Sequence, residues 1–350
     1  RYVVFCSDAT NLIPGDTNGK RDIFIRDTVA KTTRLVTRGV GGTPANGASF
    51  GPNVSDDGRY VSFTSTASNL VKGDTNTVSD AFRVDMVTGA IIRLSVSATG
   101  AQANKATAAV RMSSNGLRVV MASDATNLIA GDTNGVSDIF YRDMQVPGVR
   151  RVSLRVNGPV AAGQAPKKSW APAISPDGSW VGYLTQDPPI SPAPPRAFTE
   201  AVISWQPRNN MYAVEDVGTN SVSFPEHPFA VIANNLGIGY AVYQPYYGEN
   251  DYVLPGHDGT GIKYDVQDSM PFGFDSVANS PEGAFASSYS TNRVYAYLGS
   301  TEYRAPVTGK DVSISGDGTR VAFSDQSGTL QIRSWLPVSG MLDMVSVTSG

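Results

Sequence analysis

The chain has 350 residues, a net charge of −3, 41% hydrophobic residues and 17% charged residues. That composition supplies a core and is too sparsely charged for a disordered tail. There is no apolar run of about 18 residues to span a membrane, and no basic block to suggest a nucleic-acid surface. The single cysteine, Cys6, makes no internal disulfide and reads as a small buried hydrophobe. Two histidines, His227 and His257, leave little material for a histidine-based metal centre.

In chain order, a short apolar strand from Tyr2 leads into SDATNLIPGDTNGKRDIFIRD, Ser7 to Asp27. This stretch returns as STASNLVKGDTNTVSDAFRVD, Ser65 to Asp85, and as SDATNLIAGDTNGVSDIFYRD, Ser123 to Asp143. Asp16, Asp74 and Asp132 hold one place in the three copies, 58 residues apart, and copies one and three agree at 17 of 21 positions. A fixed period of this kind marks a repeat architecture. A second landmark follows each copy, a strand, a tight turn ending in Gly, and another strand: GPNVSDDGRYVSF at 51–63, AVRMSSNGLRVVM at 109–121 and APAISPDGSWVGY at 171–183. Asp bonds its own backbone, Pro presets φ and Gly accepts a positive φ, so these are turn sequences. Weaker forms occur at 230–243, 276–289 and 311–323.

Each unit therefore reads as four strands. Strand a precedes the tight turn and strand b follows it. Strand c is the DIFIRD-type run, continued by AVISWQ at 201–206, GIKYDV at 261–266, RVYAYL at 293–298 and LQIRSW at 330–335. Strand d closes the unit, as in TRLVTR at 33–38, IIRLSV at 91–96 and RRVSLRV at 150–156. Runs apolar on both faces suit sheets packed on two sides. No helical periodicity is visible. Four-stranded units repeated at this period predict an all-β fold, a β-propeller of four-stranded antiparallel sheets. Strand b runs beginning at Tyr2, Tyr60, Arg118, Trp180, Gly239, Ala284 and Arg320 predict seven blades in one domain, with six as the alternative. The approximate units are 1–58, 59–116, 117–178, 179–237, 238–283, 284–318 and 319–350. The chain opens on strand b, so the missing strand a of the first blade is expected from a segment outside these 350 residues, as in a module of a longer chain.

The SPDG-type turn, the YVSF-type strand after it and the D-I-F-x-R-D strand together resemble the TolB-like propeller repeat, over 1–183 and 311–323 most clearly. That resemblance implies a six- or seven-bladed ring. Some TolB-like propellers are polysaccharide lyases that use histidines and a metal, for which this chain has few histidines.

Consecutive antiparallel strands alternate direction, so the b–c and d–a connections share one face. That face carries the GDTNG loops, the d–a loop at 38–49, the proline-rich 186–196 and the tyrosine-rich 244–259. Long loops on a rigid scaffold are where binding usually resides. The GDTNG loop resembles the latter part of the calcium loop of integrin-type propellers and dockerin-like repeats. The resemblance implies Ca²⁺ at Asp16, Asn18 and Asp22, at Asp74, Asn76 and Asp80, and at Asp132, Asn134 and Asp138, with the second copy weakest because Thr77 replaces Gly. The first acidic position of the loop is missing, and Asn11, Asn69 and Asn127 are the candidate replacements. Hard oxygen donors around a Gly suit Ca²⁺; the competing expectation is an Asx-turn that needs no ion. Tyr246, Tyr247 and Tyr252 are candidate partner anchors for stacking on a sugar or a protein, whereas Tyr240 and Tyr243 read as strand residues packed between blades. His257-Asp258 reads as a polar loop pair. No G-x-S-x-G or H-E-x-x-H sequence occurs.

The sequence thus points to a non-catalytic, calcium-braced binding or structural propeller, secreted, periplasmic or on the cell surface. It would hold a protein or glycan at its loop-rich face and could belong to a larger assembly, without nucleic acid or membrane insertion. The alternative is a polysaccharide lyase or hydrolase working in the central funnel, where two carboxylates could meet in space.

Overall fold

A computed structural model describes residues 1–153, 167–186, 201–208, 211–216, 227–234, 237–244, 249–254, 262–266, 274–279, 285–289, 293–298, 301–315, 319–325 and 331–346. Among these are 26 strands, a single 3-10 turn at Val40–Gly42 and no α-helix. All described strand pairs are antiparallel, and most sheets have four strands in sequence order, as expected. The chain divides into two compact units. The first is Arg1–Leu154 with Val160–Pro172 and Ser346–Gly350, and the second is Arg155–Pro159 with Ala173–Val345.

The first unit begins with β1 (Tyr2–Ser7), β2 (Asp22–Asp27) and β3 (Thr32–Leu35), a three-stranded sheet in which β1 is an edge. Next come β4 (Ser49–Val54), β5 (Tyr60–Ser65), β6 (Asp80–Asp85) and β7 (Ile91–Arg93), then β8 (Thr107–Met112), β9 (Arg118–Ser123), β10 (Asp138–Asp143) and β11 (Arg150–Arg151). The d strands β3, β7 and β11 are shorter than their apolar runs, because the chain leaves the ladder at Val36, Leu94 and Val152 while those residues stay buried.

The c strands lie deepest. Ile23, Phe24, Ile25, Ala81, Phe82, Ile139 and Phe140 are all essentially inaccessible. Ile23 and Ile25 pack with Val61, Phe63 and Phe82 of the next sheet, and Ala81 packs with Val110, Val119, Met121 and Phe140 of the one after. This two-sided burial is why the strands are apolar without alternation, and each buried phenylalanine contributes about 1.5–3 kcal/mol. Cys6 is half-buried against the first of these clusters rather than fully buried.

Neighbouring sheets are joined at the end where strand a starts. Ser49 N donates to Arg21 O, Thr107 N to Ser79 O and Ser169 N to Ser137 O, each at 2.8 Å. At the opposite end the tight turns close as their sequences require. Ser55 Oγ accepts from Tyr60 N at 2.8 Å and donates to Asp57 Oδ1 at 2.6 Å, with Gly58 at φ 72°. Ser113 with Asn115 and Ser175 with Asp177 repeat the arrangement. The aspartate that ends strand c caps the next turn: Asp27 Oδ1 accepts from Val29 N and Ala30 N, and Asp85 Oδ1 from Val87 N and Thr88 N.

The division between the units falls inside β12 (Ser169–Ile174), which heads a sheet continued by β13 (Val181–Thr185), β14 (Ala201–Gln206) and β15 (Met211–Asp216). The second unit continues with β16 (His227–Asn234), β17 (Gly237–Gln244), β18 (Glu249–Leu254) and β19 (Ile262–Val266) as one sheet. A seven-stranded sheet follows: β20 (Phe274–Asn279), β21 (Phe285–Tyr289), β22 (Arg293–Leu298), β23 (Thr301–Ile314), β24 (Val321–Asp325), β25 (Gln331–Leu336) and β26 (Met341–Met344). β23 is 14 residues long; its first part pairs with β22 and its second, from Gly309, with β24. Its core gathers Val294, Ala296, Val312, Val321, Phe323 and Trp335.

Two sequence expectations are corrected here. The run 261–266, expected as strand c, is β19 in the d position; strand c of that sheet is β18, paired with β17 in the register Tyr240↔Val253. Tyr252, expected in a loop, therefore lies within β18 opposite Ala241 and Tyr264. Asn, Asp and Gly around 248–251 disguise this strand, because local propensity yields to pairing with a neighbour.

Candidate metal centre

The three GDTNG loops share one scaffold. Strand c starts opposite the end of strand b, with Ser7↔Asp22, Ser65↔Asp80 and Ser123↔Asp138 in register. This places Asp22, Asp80 and Asp138 at the buried root of each loop, 0%, 0% and 3% exposed. A hydroxyl just beyond strand d reaches each of them: Thr37 Oγ1, Ser95 Oγ and Ser153 Oγ donate to the three Oδ1 atoms at 2.5 Å. Each Oδ2 accepts from the loop asparagine, with Asn18, Asn76 and Asn134 Nδ2 at 2.7, 2.8 and 2.7 Å.

The asparagine amide oxygens face the loop backbone. Asn18 Oδ1 accepts from Lys20 N at 2.9 Å, Asn76 Oδ1 from Val78 N at 3.4 Å and Asn134 Oδ1 from Val136 N at 3.2 Å. These are Asx-turns, and Asn18 and Asn76 also tie the following d–a loop through Ala45 O and Ala103 O. Asn69 and Asn127 do not stand in for the missing first ligand. Asn69 accepts from Asn46 N and donates to Pro44 O, and Asn127 accepts from Asn104 N and donates to Gln102 O. They latch the d–a loop instead. Asn11 is exposed.

The loops differ in what faces their first aspartate. In the second, Arg93 Nη2 lies 3.1 Å from Asp74 Oδ1 and Nε 3.6 Å from Asp80 Oδ2. In the third, Arg151 Nη1 lies 2.6 Å from Asp132 Oδ1 and 3.4 Å from Asp138 Oδ2. One guanidinium thus bridges both carboxylates. Arg93 pairs with Phe82 and Arg151 with Phe140; the residue in that register in the first sheet, opposite Phe24, is Leu35. Asp16 is 6% exposed, and its Oδ1 is buried without a hydrogen-bond partner.

Burial pushes the Asp16 carboxyl above its ordinary range, with a partial offset from Asn18 N. Burial likewise raises Asp22, offset by the Thr37 and Asn18 hydrogen bonds, with the charge of Asp16 raising it further. In the other loops burial raises Asp74 and Asp138, and the charges of Arg93 and Arg151 work against it. Among the described residues, no three histidine, cysteine or acidic side chains converge. The loop donors are all hard oxygens, and the buried orphan Asp16 Oδ1 makes the first loop the one whose side chains fit an added cation.

Tyr246, Tyr247 and the His257-Asp258 pair lie outside the described residues, and Tyr252 is in β18. Sequence reading missed two others. Phe50 in β4 is 41% exposed, with the Arg21 guanidinium 5.7 Å from its ring centre. Trp170, at the same place in β12, has Lys168 Nζ 5.0 Å from its ring centre. Each is the second residue of a strand a, on the loop-bearing side. The signal was an aromatic residue after the serine that opens the strand, in SFGPNV and SWAPAI.

No family model and no curated protein matches this chain. Solved structures do match its fold. One is described as an oligogalacturonate lyase in complex with manganese, at TM-score 0.61 and 13% identity over 97% of this chain and 87% of that one. Another is the β-propeller domain of the Trilobed protease from Pyrococcus furiosus, at TM-score 0.54 and 12% identity over 93% and 90%. A third comes from a study of two prolyl endopeptidases, at TM-score 0.57 and 12% identity; it covers 93% of this chain, which spans only 46% of that protein. Identities this low establish the β-propeller fold alone.

Proposed function

We propose that the chain is a seven-bladed propeller module, acting outside the cytoplasm, whose loop-rich face holds a glycan or protein partner without transforming it. Division of the seven-stranded sheet where β23 changes partner supports the blade count, and the three-stranded first sheet supports an incomplete first blade. The observation that carries the binding reading is the pair of aromatic rings, Phe50 and Trp170, each beside a cation at the start of a strand a. A surface ring stacks on the apolar face of a sugar, and the Lys168 ammonium beside the half-buried Trp170 suits a carboxylate on that sugar, whereas the Arg21 guanidinium beside Phe50 is already paired with Asp8. Acidic oligosaccharides are therefore the first ligands to test, with Tyr246, Tyr247 and Tyr252 as further anchors. The loop aspartates do not compete with this reading, since Asp22, Asp80 and Asp138 are engaged within their own loops.

A second reading, cleavage of an acidic polysaccharide, is favoured by the likeness to the oligogalacturonate lyase fold. Calorimetric titration with acidic and neutral oligosaccharides separates the two, with the same samples assayed for new chain ends. Binding without cleavage, weakened by Phe50→Ala and by Trp170→Ala by about 1–2 kcal/mol each, is the expected result. Cleavage would establish the second reading. Binding that is indifferent to both substitutions and to Tyr246→Ala, Tyr247→Ala and Tyr252→Ala would overturn the proposed face.

A further inference from the structure

We infer that the first GDTNG loop takes a hard divalent cation of the calcium class between Asp16 and Asp22, in the place that the guanidinium groups of Arg93 and Arg151 fill in the second and third loops.

The three loops serve as controls for one another. They share the strand register, the hydroxyl on the root aspartate and the asparagine turn, and differ in the residue opposite the strand c phenylalanine. Where that residue is arginine, the two aspartates share a positive charge held within 4 Å. Where it is Leu35, no ion pair reaches Asp16 or Asp22 among the described residues; Arg21, the nearest arginine in sequence, is engaged with Asp8 at 2.6 Å. A carboxylate oxygen buried without a partner is unfavourable, and two carboxylates facing each other add repulsion. A cation removes both costs, and a divalent one balances the pair.

The donors select its class. Carboxylate oxygens without sulfur or imidazole suit Ca²⁺, Mg²⁺ or Mn²⁺ rather than zinc or copper. Pro14, Gly15 and Thr17 are exposed, so water can complete the coordination. The site differs from the expected set in two ways: Asn18 Oδ1 stays with Lys20 N, and the third loop carries its own cation. The inference does not rest on the partner proposed above, and failure of either leaves the other standing.

The test is calorimetric titration of the full chain with CaCl₂, and separately with MgCl₂, at neutral pH, alongside melting curves with and without chelator. One site per chain is expected, and chelator should lower the melting temperature, because an ion bound to the folded state stabilises it by mass action. Leu35→Arg should abolish binding and make the melting temperature indifferent to chelator, since it installs the cation the sister loops carry. Asp16→Asn, nearly isosteric, should weaken binding by at least roughly tenfold without loss of fold. Arg151→Leu should convert the third loop and raise the stoichiometry to two. No heat with either ion up to millimolar concentration and no chelator effect would overturn the inference. Unchanged affinity in both Leu35→Arg and Asp16→Asn would also overturn it, by placing the ion elsewhere.

Discussion

Gly58 sits on the face of Tyr2. A Cβ built on this glycine would lie 2.3 Å from ring carbon Cδ2 of Tyr2, and Gly116 stands in the same relation to Tyr60, at 2.4 Å. The glycine that closes each tight turn thus has two duties. It adopts a positive φ, 72° and 71°, and it lets the next sheet close over the tyrosine that opens strand b of the sheet before. Arg83 completes the second contact, stacked 4.4 Å from the Tyr60 ring centre and donating from Nη1 to Gly116 O.

Gly116→Ala and Gly58→Ala should therefore each cost more than the usual turn penalty. A left-handed alanine costs about 1 kcal/mol, and displacing a packed ring adds roughly 1–3 kcal/mol. Denaturant unfolding should show a loss of about 2–4 kcal/mol per substitution. In a Tyr60→Ala background, Gly116→Ala should fall back to the turn penalty alone; an undiminished loss there would refute the packing account.

Thr77 holds φ 58° at the place where the first and third loops have Gly19, at 60°, and Gly135, at 70°. A β-branched residue is rare in this region because its side chain crowds the backbone. Thr77→Gly should stabilise the protein by about 1 kcal/mol, less the added flexibility of the unfolded chain. A lower unfolding midpoint would contradict this.

Arg93 is almost fully enclosed between Asp74 and Asp80. Removing one member of a buried ionic group strands the others, so Arg93→Met should destabilise by about 3 kcal/mol in the presence of chelator. Asp74→Asn in the same chain should recover part of the loss. A double-mutant cycle measures the coupling, and additive effects would show that the bridge contributes nothing.

Acid should act on the c–d turns. Arg59 hydrogen-bonded to Asp85, with help from the turn N–H groups, holds that carboxyl down at about 2, against 3.8 for an ordinary aspartate. A depressed folded value stabilises fully above the unfolded one and is lost as pH falls from near 4 through about 2. Asp138 behaves oppositely: burial raises it, so its ionisation opposes folding above the ordinary aspartate range, and acid relieves that cost. Urea midpoints measured down this range should fall less for Asp85→Asn than for the unaltered chain. Parallel acid profiles would count against the assigned ion pair.

Much of this structure was legible beforehand where the repeat is strict. The DIFIRD strands, the Ser-Asp-Asp-Gly turns and the four-strand order follow from patterns that local chemistry enforces. Between 186 and 300 the repeat fades, and β18 was read as loop because its pairing partner, not its composition, makes it a strand. At the loops, sequence showed the aspartates and asparagines but not the arginine between them. Arg93 and Arg151 lie outside the 21-residue motif, and only sheet register brings them under it. The exchange with Leu35 was visible in the aligned d strands, TRLVTR at 33–38 against IIRLSV at 91–96, once the facing strand was known.

The ties from Asn18 to Ala45, from Arg21 to Ser49 and from Asn76 to Ala103 all run forward, from a loop of one sheet to the entry of the next. The smallest self-sufficient module is consequently not a sheet but a sheet plus the first residues of its successor. An array built from this repeat, or a split version made to reassemble from two pieces, should be cut within a tight turn such as 55–58. There each piece keeps the forward stitches of its own loops, and the new ends fall on the side away from them. Cutting between sheets would instead leave asparagines and carbonyls reaching for backbone that is no longer attached, the kind of frayed edge that recruits a neighbouring molecule.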